Sequence, residues 1–122
     1  MNETSVSRTT ILVVEDVDSL RSAMVRRIGA CGFDVAEAAD AAEAVSVAER
    51  VRPGLVFTEE QLPTFRALER GFREHPELSR VPIVIVNPDA EEGARYGDAV
   101  VLNDFNQLER LLAHPAESRT DL

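Results

Sequence analysis

The stretch Thr10 to Arg21, TILVVEDVDSLR, decides the fold. Thr10 to Val14 (TILVV) is a largely apolar run without alternation, which suits a strand buried on both faces. It stops abruptly in the acidic group Glu15, Asp16 and Asp18. A helix is expected next, capped by Asp18 or Ser19, with Leu20, Met24, Ile28 and Cys31 recurring every three or four residues as its core face and Gly32 placed to end it.

Working outward, Phe33 to Ala38 reads as a second strand. Asp40 and Glu43 have capping-box spacing for a helix reaching about Arg50, and Pro53 closes that unit. Leu55 to Thr58 (LVFT) is a third strand, followed by the polar loop Glu59-Glu60-Gln61-Leu62-Pro63. Phe65, Leu68 and Phe72 mark one face of a third helix, while Arg66, Arg70 and Arg73 share another face that is read as solvated surface, with a docking patch as the alternative. Val81 to Val86 and Ala99 to Leu102 are the fourth and fifth strands, and Phe105, Leu108, Leu111 and Leu112 lie on a last helix. Strand and helix alternate, which predicts an α/β fold: a doubly wound, five-stranded parallel sheet covered by helices on both sides. Only Asn87 to Gly97 separates strands four and five, and it contains Pro88, Gly93 and Gly97, so a short turn or loop is expected there. The domain is read as 10–113, with tails at 1–9 and 114–122.

Length and composition bound the function. The chain has 122 residues, enough for one domain with a real core. A net charge of −9 repels phosphate backbones and anionic lipid, so neither nucleic acid nor membrane is expected as a partner. All 13 basic residues are Arg and none is Lys, which removes every lysine-dependent mechanism. Cys31 is the only cysteine, read as buried packing, and the opening MNETSVSRTT lacks the apolar core of a signal peptide. Both point to a cytoplasmic protein. His75 and His114 fall at the end of the third helix and in the tail, away from any strand end.

In an open parallel sheet, reacting groups gather at the carboxyl ends of the strands. Here those ends carry Glu15 and Asp16, Glu59, Asn87 and Asn103. With ILVVEDVDSLR, FDVAEAADAAEAV, PGLVFTEEQLP, VPIVIVN and AVVLNDFNQLERLL in this order, the chain resembles the CheY-like receiver domains of two-component response regulators from about Ile11 to Leu112. The resemblance implies the flavodoxin-like strand order 2-1-3-4-5, with the helix between strands four and five shortened or missing in this chain. It also implies that Glu15 and Asp16 match the acidic pair that holds a divalent ion, and that Glu59 stands where the phosphoacceptor Asp should be. Asn87 falls at the Ser or Thr position, Val100 at a switching aromatic, Asn103 at the lysine and Asp104 at the proline after it.

These departures matter because phosphoryl transfer depends on positioning and on positive charge at the transferring group. Glu59 carries one methylene more than Asp, and a displacement of about 1 Å can cost on the order of 100-fold. The expectation is a receiver that is not phosphorylated and works as a protein interaction module, without catalysis, beside a histidine kinase, a phosphotransfer protein or another regulator. Its candidate surfaces are Arg21, Arg26 and Arg27 on the first helix, and Arg95, Tyr96 and Phe105 on the face from the fourth strand to the last helix, which also offers a homodimer contact. Glu15, Asp16 and Glu59 are candidate ligands for weakly held Mg²⁺ or Ca²⁺; Asp16 and Asp18 serving only to cap the first helix is the plain alternative.

Two other readings compete. Arg95 and Tyr96 offer a guanidinium and a stacking ring for a nucleotide second messenger. Asp16-Val17-Asp18 after an apolar strand resembles the nucleophile motif of haloacid-dehalogenase-like phosphohydrolases, but the lysine that such enzymes use is absent.

Overall fold

The structure, a computed structural model, describes residues 9–59, 65–87, 91, 97 and 99–113. Its elements are β1 (Thr10–Val14), α1 (Asp18–Ala30), β2 (Asp34–Ala38), α2 (Ala41–Val51), β3 (Leu55–Glu59), α3 (Phe65–Arg73), β4 (Ile83–Val86), β5 (Val100–Leu102) and α4 (Phe105–Ala113). The five strands are parallel and ordered β2-β1-β3-β4-β5, as the alternation and the resemblance imply. Among the described residues there are four helices, none of them between β4 and β5.

Successive strand residues face opposite sides of the sheet, and this splits the core in two. Leu12, Val14, Val56, Ile83 and Ile85 pack with Ala44, Val47 and Ala48 of α2 and with Phe65, Leu68 and Phe72 of α3. Ile11, Val13, Phe57 and Val84 face the other way, onto Met24 and Ile28 of α1 and Leu108 and Leu112 of α4. Helices therefore cover both faces, which is why β1 and β4 read as unbroken apolar runs. All five strands point their carboxyl ends to one rim.

Several boundaries differ from the sequence reading. Strand β4 begins at Ile83 rather than Val81, since Pro82 has no N–H for the ladder. Its carbonyl still accepts from the Val56 amide at 2.9 Å. Strands β2 and β5 each begin one residue later than expected, and β3 runs one residue further, to Glu59. The Asp40 and Glu43 box forms, with Asp40 Oδ1 accepting from the Glu43 amide; the return bond from Glu43 Oε1 takes the amide of Ala39 instead of Asp40.

Helix α1 brings three corrections. Its N-cap position is Val17, with no side-chain cap, so neither Asp18 nor Ser19 fills that role. Leu20 is 45% exposed and Cys31 is exposed, against their expected burial. Met24 and Ile28, one turn apart, take the sheet-facing positions. Leu20 lies a turn further toward the rim, past the end of β1. Cys31 is the residue after the helix, and the chain turns away behind it at Gly32, where φ is +99°.

Candidate functional site

The rim of the sheet brings Glu15, Ala38, Glu59, Asn87 and Asn103 to the ends of adjacent strands. Glu15 follows β1 and is only 1% exposed. Its amide donates to the Ala38 carbonyl at 3.0 Å, and its Oε2 accepts from the Val17 amide at 3.0 Å. This buried side chain thereby satisfies the amide of the N-cap residue of α1, a donor with no partner within the helix. Asp16 and Asp18 are exposed.

Arg21 supplies positive charge at this corner. Its Nη1 donates to the Glu15 carbonyl at 2.9 Å, its Nε to Glu37 Oε1 at 3.0 Å and its Nη2 to Asp18 Oδ1 at 2.7 Å. Bonds to Glu37 first and Asp18 second raise its pKa above the ordinary arginine value. With the side chain 17% exposed, Arg21 ties β1, β2 and α1 together and has its guanidinium spent inside the molecule. Arg27 is similarly engaged. It forms a two-pronged pair with Glu109 of α4 at 3.0 and 3.2 Å and sits 4.1 Å above the Phe105 ring. Phe105 in turn meets Phe57 edge to face, with centroids 5.5 Å apart. Of the expected docking residues, Arg26 is left exposed on α1, while Arg95 and Tyr96 lie outside the described residues.

At the other end of the rim, Glu59 pairs by backbone with Val86. The Asn87 amide donates to the Leu102 carbonyl at 2.8 Å, and Asn103 Nδ2 reaches the Asn87 carbonyl at 3.4 Å. Where the resemblance implies a lysine, this chain thus has an amide directed at the end of β4. Val100 is 46% exposed at the start of β5.

Sequence reading missed two features here. Asp104 Oδ1 accepts from the Gln107 amide at 2.8 Å, and Gln107 Oε1 accepts from the Asn103 amide at 2.7 Å. The spacing Asp104-x-x-Gln107 repeats that of Asp40-x-x-Glu43 and was the available signal. Thr58, next to Glu59, is fully buried, and its hydroxyl has no hydrogen-bond partner among the described residues. No sequence signal marks it.

Hard divalent ions take six or more oxygen ligands. Among the described residues no three His, Cys, Asp or Glu side chains come together as a metal group, and Glu15 already spends one oxygen on α1. Of the other two candidates, Asp16 is exposed, and the side chain of Glu59 lies outside what the structure describes. On α3, Arg66, Arg70 and Arg73 line an open groove of about 270 Å³ with Glu69 and Glu74. Arg73 is not a free surface cation, since its Nη1 donates to the carbonyls of Ser79 and Val81. No described helix is long and apolar enough to cross a membrane.

No family model matches the sequence. A curated relative, the probable transcriptional regulator ycf27 of Porphyridium aerugineum, is 36% identical over 79 residues, 62% of this chain and 31% of that protein. The chain therefore spans about a third of the length of the relative it matches. Among solved structures, the receiver domain of sensor histidine kinase PA1611 from Pseudomonas aeruginosa PAO1, which has a magnesium ion coordinated in its active-site cleft, is 26% identical. It has a TM-score of 0.68 and covers 87% of this chain and 95% of its own. Chemotaxis response regulator CheY4 of Vibrio cholerae is 21% identical with a TM-score of 0.71, covering 92% and 98%. The chain has the response-regulator receiver fold.

Proposed function

We propose that this chain is an atypical receiver module of two-component-type signalling, acting through protein contacts without taking a phosphoryl group itself. The observation that carries this reading is Asn103, whose amide is directed at the Asn87 carbonyl where a receiver would present a lysine. With no lysine anywhere in the chain, no neighbouring lysine replaces the missing one, and Arg21 is held by Glu37, Asp18 and Glu15. By the resemblance, Glu59 stands at the acceptor position with one methylene more than Asp. The partners that fit are a histidine kinase, a phosphotransfer protein, another regulator or a second copy, working in the cytoplasm.

The test is incubation with acetyl phosphate and Mg²⁺ followed by intact-mass measurement. The native chain is expected to gain no phosphoryl group, and Glu59→Asp combined with Asn103→Lys is expected to gain one. A stable adduct on the native chain would overturn the reading.

A divalent ion at this rim would use Glu15, Asp16 and Glu59. Because Glu15 is partly committed, Mg²⁺ binding is expected only at roughly millimolar concentration. An NMR titration following the Asp16 amide checks this, and micromolar saturation would contradict it.

A further inference from the structure

Away from the rim, the end of α3 carries a titratable group that the receiver reading does not use. His75 follows α3, and its side chain is 18% exposed. Two neighbours determine which ring nitrogen holds the proton. The Glu77 amide donates to Nδ1 at 3.0 Å, so Nδ1 carries no hydrogen. Nε2 lies 3.0 Å from Glu49 Oε2 on α2. An ionised carboxylate only accepts, so Nε2 is the donor. Together these contacts specify a neutral imidazole with its hydrogen on Nε2.

The circle closes through Arg52. This residue ends α2 in the left-handed region at φ 51° and donates from Nε to the Glu49 carbonyl at 3.1 Å, while its Nη2 pairs with the Glu77 carboxylate. The charged groups around the imidazole are thus Glu49 and Arg52 from α2, Glu74 and Glu77 from its own turn, and Arg73 at the end of α3. Arg73 fastens the far side of the turn through the carbonyls of Ser79 and Val81.

We propose that His75 is a proton-operated latch between α2 and the turn 74–80. A second proton can enter the ring only at Nδ1, where it would meet the Glu77 amide hydrogen head on. Protonation therefore strengthens the pair with Glu49 and expels the Glu77 amide, opening the start of the turn while Leu78, buried in the core, and Arg73 keep its far side in place.

The experiment uses the ¹⁵N-labelled chain, with imidazole nitrogen shifts and amide hydrogen exchange read at about pH 8 and about pH 5. At the higher pH the ring hydrogen is expected on Nε2. At the lower pH a proton is expected on Nδ1, and protection of the Glu77 amide should fall about tenfold, on the order of one lost hydrogen bond. His75→Asn keeps an acceptor for that amide but cannot titrate, and should leave it protected at both pH values. His75→Gln keeps only the donor toward Glu49 and should leave the amide unprotected at both. A hydrogen on Nδ1 at about pH 8, a ring that takes up no proton by about pH 5, or a Glu77 amide indifferent to ring protonation would each overturn the latch.

Discussion

Thr58 stands beside Glu59 with a buried hydroxyl that bonds nothing among the described residues. Burying an unpaired hydroxyl costs about 1–3 kcal/mol in proteins, and valine has nearly the same shape without the polar atom. Thr58→Val is therefore expected to stabilise the chain by about 1 kcal/mol, seen as a higher urea midpoint with an unchanged slope. A lower midpoint would show that the hydroxyl has a bonding role. Arg21 is the opposite case. Its guanidinium satisfies the Glu15 carbonyl and bridges Glu37 and Asp18, but the two carboxylates are exposed and their share is screened by solvent. Arg21→Met should cost about 1–2 kcal/mol, most of it from the partly buried bond to the carbonyl. The folded pKa of Arg21 is raised, so this stabilisation is fully present below the unfolded value and is lost only as pH rises through the folded one. That window lies at the alkaline extreme, so the cost of Arg21→Met should not vary with pH near neutrality through titration of the guanidinium. Urea unfolding of both chains at two near-neutral pH values checks this. Neither role was legible in the sequence, because each depends on which groups the fold brings alongside.

At the scale of elements, legibility followed the kind of burial. Strands covered on both faces are apolar at most positions, so Thr10–Val14, Leu55–Glu59 and Ile83–Val86 were readable to within two residues. Helix α3 was equally plain, since Phe65, Leu68 and Phe72 are all buried. Helix α1 was less so. An apolar residue at the right spacing has nothing to pack on beyond the end of the sheet, and the amide of the N-cap residue Val17 is served by Glu15 from the preceding strand end, with no side-chain cap from Asp18 or Ser19. The contrast predicts a split. Leu68→Ala should cost about 2–5 kcal/mol, as a fully buried leucine in a closed core does, whereas Leu20→Ala should stay within about 0.5 kcal/mol. Thermal or urea unfolding of the two variants decides it, and comparable losses would mean that Leu20 is covered.

For the whole molecule, the doubly wound order was legible because five strands alternating with helices leave few right-handed arrangements, and that order alone places Glu15, Glu59, Asn87 and Asn103 along one rim. Which of them can act was less legible. The missing lysine is a matter of composition, but the direction of the Asn103 amide and the capture of Arg21 by Glu37 are tertiary facts. Charge governs the molecule's contacts at this scale too. Two copies each bearing −9 repel one another, and the contact available between them on β5 is apolar, with Val100 46% exposed on the short edge strand. Salt shortens the screening length from about 8 Å at physiological strength to about 3 Å near 1 M, which removes the repulsion and leaves apolar burial intact. Self-association through this face should therefore strengthen as salt is added, and Val100→Asp should weaken it at every salt concentration. Sedimentation equilibrium across a salt series measures both. Dimers that dissolve with added salt would instead indicate an ionic contact, directing attention to the exposed arginines of α1 and α3.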